Sequence, residues 1–212
     1  MNQEENINKI TRSNGRSYSV RTNRDRFFYP KEWDQFYSAL KDKQRFTFFF
    51  LAQTGSRINE ARHVKKEDID IQNKRLILRV TKIKAKKKEK NPRPRTIPFS
   101  NRLLTRLRAE TKELNGDQCI KILSTPGANT AMKKALEKAG IQDWYMFSVH
   151  NIRKTFETWL MAIGVDGLKI TAHLGHSMQV AASNYVSADV FSFEEKLKIR
   201  DFLGDLYQER RF

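Results

Sequence analysis

The sequence predicts a mainly helical fold of α+β class that carries one small antiparallel three-stranded β-sheet. Three observations predict it. Apolar residues recur at helical spacing through most of the chain after residue 27. Only between Ile69 and Phe99 does the period drop to two. Gly55, Pro126-Gly127, Gly140, Gly164 and Gly175 punctuate the helical stretches. An aromatic content of 11%, including 14 Phe, requires a core to bury that ring surface.

Taken in order, residues 1–26 are polar and basic, with Arg12, Arg16, Arg21, Arg24 and Arg26, and read as a flexible arm able to lie along phosphates or simply solvated. Pro30 and Glu32 open a helix whose apolar positions are Trp33, Phe36, Tyr37 and Leu40. Arg45 to Gln53 is a second helix, apolar enough to be central. Gly55 is expected to stop it, and Ser56 to cap the next short helix. Ile69 and Ile71 then alternate with acids, and Gln72-Asn73-Lys74 makes a turn. Leu76, Leu78 and Val80 alternate in a strand, and Arg95 to Phe99 forms another. A lysine-rich loop joins these last two. Helices follow at roughly 101–114, 128–139, 148–163, 166–173 and 177–185, with a tail helix from about 193.

Composition narrows the function. The formal net charge of +17 favours a polyanionic partner, and nucleic acid is the commonest. Cys119 is the single cysteine, which excludes a disulfide framework within the chain and a cysteine metal cluster. The first residues lack an apolar signal core and no apolar run reaches membrane-spanning length, so a cytoplasmic protein with no membrane association is expected. No His-Glu-x-x-His or glycine-rich phosphate loop occurs, and no paired carboxylate cluster suggests two-metal nuclease chemistry, so neither metal nor nucleotide cofactor is expected.

Four fragments carry chemistry through their order and spacing. They are Thr54-Gly55-Ser56-Arg57-Ile58-Asn59-Glu60, the pair His150 and Arg153 in a His-x-x-Arg, Leu174-Gly175-His176, and Tyr185, nine positions after His176. His150 and Arg153 share one face of a helix whose other face is Ile152, Phe156, Leu160 and Ile163. Glu60 lies one turn beyond Arg57 and could hold its guanidinium. Together these motifs resemble the tyrosine recombinase/integrase family, and the match runs from about Phe27 to about Ala188. The resemblance implies the recombinase catalytic-domain fold over 27–189, between the arm (1–26) and a C-terminal tail helix (190–212).

It also implies a mechanism on double-stranded DNA. Tyr185 attacks a phosphodiester to give a covalent 3′-phosphotyrosine. Arg57 and Arg153 hold the phosphate, His150 assists proton transfer from Tyr185, and His176 donates to a non-bridging oxygen. Guanidinium forks suit that task because they match phosphate oxygens and stay charged. The family's leaving-group acid is a hairpin lysine, here Lys82, with Lys84 on the same strand parity as its rival. The bond energy is kept in the phosphotyrosine, so rejoining needs no ATP. His173 falls outside the motif and reads as a helix-end or core histidine.

Family members usually carry a separate N-terminal domain that clamps DNA; only the basic arm precedes the catalytic unit here, as in an excised domain or a minimal recombinase. A type IB topoisomerase-like swivel enzyme and a catalytically idle DNA-binding module are the alternatives. The tail has a capping box at Ser192 and Glu195 and an apolar stripe of Phe193, Leu197, Phe202, Leu203 and Leu206. The expectation is that it docks on a neighbouring protomer and supports dimer or tetramer assembly on DNA, with docking on its own domain as the alternative.

Overall fold

In the computed structural model, the described residues are 9–11, 17–19, 26–79, 94–175 and 190–207. Val80, the lysine-rich loop and the helix expected at 177–185 lie outside them. Within the arm, β1 (Lys9–Thr11) and β2 (Ser17–Ser19) pair antiparallel, a feature that the arm's lack of apolar alternation did not suggest.

The helical body opens with α1 (Pro30–Ala39). Proline early in a helix costs no hydrogen bond, and the Glu32 carboxylate accepts the backbone N–H of Tyr29 at 2.9 Å. Helix α2 (Asp42–Thr54) follows and ends at Gly55, whose φ of 57° is left-handed. Phe46, Phe48, Phe50 and Leu51 are all buried, because α2 is covered on several sides. The short α3 (Ile58–Arg62) starts from Arg57 rather than from a Ser56 cap. Ser56 instead shares a hydrogen bond between its Oγ and Thr54 Oγ1 at 2.9 Å, so its hydroxyl closes the turn.

Strands β3 (Ile69–Asp70), β4 (Arg75–Leu78) and β5 (Arg95–Pro98) form the expected antiparallel sheet in the order β3-β4-β5. Leu76 faces Ile97 across the ladder, and both are buried with Leu78. Helix α4 (Asn101–Thr111) is capped by Ser100, which accepts from the Leu103 N–H. Helix α5 (Thr125–Lys138) takes Pro126 and Gly127 into its first turn, so this pair begins the helix instead of breaking the chain before it.

Helices α6 (His150–Ala162) and α7 (Gly167–Leu174) complete the part of the body that concerns chemistry. Helix α6 is buried along most of its length, Ile152, Phe156 and Leu160 fully. An extended strap at 26–29 fixes it: Phe28 N–H donates to Thr155 Oγ1 at 2.9 Å, and Trp159 Nε1 donates to the Phe28 carbonyl at 2.9 Å. Arg26 anchors the strap's start. It pairs with Glu32 and Asp143, both at 2.6 Å, and is 2% exposed, so this arginine serves the body and not a phosphate.

The tail helix α8 (Phe193–Leu203) has its capping box, with Glu195 N–H donating to Ser192 Oγ at 3.2 Å. In the single chain it packs on its own domain, the alternative that the sequence left open beside a neighbouring protomer. Ile199, Leu203 and Leu206 are buried in the chain's own core, and Phe202 fills a slot formed by Trp33, Phe49 and Trp159. Gln53 Nε2 donates to the Phe202 carbonyl at 2.6 Å, and Lys74 pairs with Asp205 at 2.6 Å. The aromatic slot explains the choice: left uncovered, it would expose three large rings on this domain's own surface. Phe193 and Leu197, counted in the stripe, remain exposed.

Candidate active site

Two helix ends and one strand meet around Glu60. The first is the left-handed end of α2, where Gly55 has no alternative residue: a Cβ there would lie 2.4 Å from Phe156 Cδ1 and 2.7 Å from Leu174 Cδ2. That close approach brings the Thr54–Glu60 motif against both α6 and α7. The second is the left-handed end of α7 at Gly175, φ 68°. The third is the start of β5, which supplies Arg95.

Arg153, one turn along α6 from His150, points into this junction and is 5% exposed. Its Nη1 donates to the Gly55 carbonyl at 2.8 Å and its Nη2 to the Leu174 carbonyl at 2.6 Å. One side chain thus ties the Arg57 motif to the Leu174-Gly175-His176 motif. A guanidinium has five donors in a fixed fork, so two carbonyls set its plane without exhausting its capacity for an anion. Burial first, then the neighbouring charge of Arg57, pulls its pKa down to about 9. An entering phosphate would reverse that direction by supplying the missing negative charge.

Arg57 is the more open of the two arginines. Its Nη1 donates to Glu60 Oε1 at 2.9 Å while the side chain keeps 38% of its surface exposed. The anchoring role expected of Glu60 is therefore present. Glu60 itself is 1% exposed and is also held by Arg95. Burial alone pushes the Glu60 carboxyl up, but the hydrogen bonds and charge of Arg95, with Arg57 behind them, overcome this and hold it at about 2. His150 begins α6 and is exposed on the same helix as buried Arg153.

His173 is both a helix-end and a core histidine, as its position outside the motif suggested. Its Nε2 contacts the Thr54 carbonyl at 2.9 Å and its Nδ1 the Tyr207 hydroxyl at 2.6 Å. Burial, reinforced by Arg95 and Arg153 and opposed by the Thr54 carbonyl, lowers its pKa to about 4. Two of the described tyrosines are taken up by the core: Tyr29 is buried, and Tyr207 is bonded to His173 with its pKa raised to about 12 by burial. Neither has the environment of a nucleophile.

The structure therefore brings Arg57, Arg153 and the residues leading into His176 together, with His150 one turn away. Lys82, its rival Lys84, His176 and Tyr185 lie outside the described residues. Sequence reasoning missed Arg95. One signal could have found it: strand alternation sets Arg95 on the same face as fully buried Ile97.

No helix among the described residues is long and apolar enough to cross a membrane. No curated protein sequence matches the chain. Solved structures do resemble it. XerA recombinase aligns with a TM-score of 0.61 at 18% identity, covering 83% of this chain and 62% of that one. The Tn1549 transposon integrase in complex with a circular intermediate DNA gives 0.62 at 15% identity, covering 84% and 65%. XerH site-specific recombinase bound to its difH substrate gives 0.60 at 16% identity, covering 87% and 57%. This chain thus spans less than two thirds of each of these proteins, and at such identities the likeness shows the fold. The family model described as the phage integrase family matches residues 26–190, and on that match the chain belongs to this family, the tyrosine recombinases.

Proposed function

We propose that this chain is a site-specific DNA recombinase, cutting and rejoining double-stranded DNA by transesterification through a covalent 3′-phosphotyrosine at Tyr185. One observation supports it above the rest: Arg153 bridges the carbonyls of Gly55 and Leu174. That bridge converges two motifs that are far apart in sequence, and each leads directly into a group the reaction needs, Arg57 on one side and His176 on the other.

In this reading Arg57 and Arg153 bind the non-bridging oxygens and offset the charge that develops in the transition state. His150 takes part in moving the proton from Tyr185, and His176 donates to the phosphate. Lys82, or Lys84 in its place, protonates the leaving 5′ oxygen. The arginines supply the positive charge, so no metal or nucleotide enters the scheme. The Tn1549 transposon integrase is seen in complex with a circular intermediate DNA, and XerH in pre-cleavage and post-cleavage complexes with difH substrates. By analogy we extend DNA binding to this chain, and we add assembly on DNA and action in the cytoplasm as part of the same proposal.

The test uses a nicked duplex carrying the sequence that the wild-type chain selects from a random pool. Tyr185→Phe is expected to bind this DNA but to form no SDS-stable protein–DNA adduct, since a single oxygen is removed. An adduct with the Phe variant would dismiss Tyr185 as nucleophile. Arg57→Ala and Arg153→Ala should each slow cleavage by about 10²-fold or more, the scale of losing a preorganised charge donor. Absence of any adduct with the wild-type chain would instead favour an idle DNA-binding module.

A further inference from the structure

The carboxylate of Glu60 is saturated, and half of that saturation comes from a residue outside the recombinase motifs. Its Oε1 accepts from Arg57 Nη1 and Arg95 Nη1, both at 2.9 Å. Its Oε2 accepts from the Arg57 backbone N–H and Arg95 Nη2, both at 2.8 Å. Arg95 therefore grips Glu60 with both terminal nitrogens, while Arg57 contributes one side-chain nitrogen and its main chain. The third nitrogen of Arg95, Nε, donates to the His173 carbonyl at 2.9 Å. The stem of the same side chain packs under the α7 turn, where a Cβ on Gly175 would stand 3.1 Å from Arg95 Cδ.

Two arginines on one carboxylate thus divide their labour. All three nitrogens of Arg95 are directed at the protein, and its side chain is 13% exposed against 38% for Arg57. A bidentate carboxylate–guanidinium pair is stronger and more tightly oriented than a single bond. By occupying Glu60 bidentately, Arg95 prevents Glu60 from taking Arg57 in that way and drawing it inward. Among the described residues, Arg57 is left with one side-chain anchor, and 38% of its side-chain surface stays exposed.

We propose that Arg95 is a positioning residue: its fork on Glu60 sets the reach of Arg57, and its bond to the His173 carbonyl holds the last turn of α7. This rests on the reading of Arg57 as a phosphate-binding group. It makes Arg95 necessary for cleavage although Arg95 touches no substrate.

The experiment compares the full chain with Arg57→Ala, Arg95→Ala and Arg95→Lys in single-turnover cleavage of the selected nicked duplex, with DNA affinity and thermal midpoint measured alongside. Arg95→Ala should lose about tenfold to 10²-fold in cleavage rate, the cost of a misplaced catalytic group, at unchanged affinity. Arg95→Lys keeps a cation beside Glu60 but not the fork, so it should fall between the wild type and Arg95→Ala; it carries the test if the alanine variant does not fold. A duplex with a neutral methylphosphonate at the scissile position supplies the decisive comparison. Removing the charge that Arg57 neutralises should shrink the Arg57→Ala and Arg95 defects in parallel. Wild-type cleavage by the Arg95 variants, or a defect of equal size on both substrates while that of Arg57→Ala shrinks, would overturn the proposal and leave the role of Arg57 standing. Wild-type cleavage by Arg57→Ala would sink the phosphate-binding reading itself, and this inference with it.

Discussion

A histidine with both ring nitrogens engaged inside the core can take up a proton only by reversing one of its bonds. His173 meets a carbonyl at Nε2, and a carbonyl can only accept, so Nε2 carries the hydrogen. Nδ1 then accepts from the Tyr207 hydroxyl. Protonation would turn Nδ1 into a donor facing that hydroxyl, in a buried site beside Arg95 and Arg153. Folded His173 has a pKa near 4 against an ordinary value of 6.5, so the unfolded chain binds more protons across that window. The stability it contributes is therefore fully present above pH 6.5 and is lost as pH falls toward 4, by about 3 kcal/mol in all. Urea denaturation at steps between pH 7 and 4 should show this slope. His173→Gln keeps a donor for Thr54 but does not titrate, and should flatten it; an unchanged slope would assign the loss to other groups.

At the level of elements, the helices starting at Pro30 and His150 and the sheet were legible because each writes its period directly into the chain. Glu60 was legible as a partner of Arg57 because the two are one turn apart. Arg95 was not, because what it holds is 35 residues away and at the end of another helix. The tail shows the same limit. An amphipathic stripe states that something must cover it, but the identity of the cover is a property of the aromatic slot between Trp33, Phe49 and Trp159, assembled from α1, α2 and α6. Since α8 packs on its own domain, Leu203→Ala should destabilise the isolated chain by about 2–5 kcal/mol, the range for a truncated core leucine. Equilibrium denaturation checks this. A change well below 1 kcal/mol would mean that the helix contributes little to the free chain and would favour docking on a neighbour.

For the whole molecule the net charge of +17 is the dominant quantity seen from a distance. Six lysines lie within the run from Lys82 to Lys90, so contacts to phosphates there should be numerous and largely independent of sequence. Affinity for duplex DNA should fall log-linearly with salt, with a slope of about −0.9 per phosphate neutralised. Replacing Lys86, Lys87 and Lys88 by Ala should make that slope shallower, measured by fluorescence anisotropy across a salt series. An unchanged slope would show that this run is solvated and does not meet DNA.

The separation between Gln53 and the Phe202 carbonyl it holds, 149 residues, also has a consequence for how the protein is made. At ribosomal rates of about 5–20 residues per second, α2 waits roughly 7–30 s for that partner to be synthesised. By the time Trp159 is made the nascent chain carries most of its arginine and lysine charge, and the slot between Trp33 and Trp159 then stands open until Phe202 follows. Tyr207 comes later still, and through His173 it completes the buried support of the Thr54 carbonyl, just upstream of Arg57. Translation therefore imposes an order on the molecule: attraction to polyanions arrives early, and the finished seat of the arginine cluster arrives last.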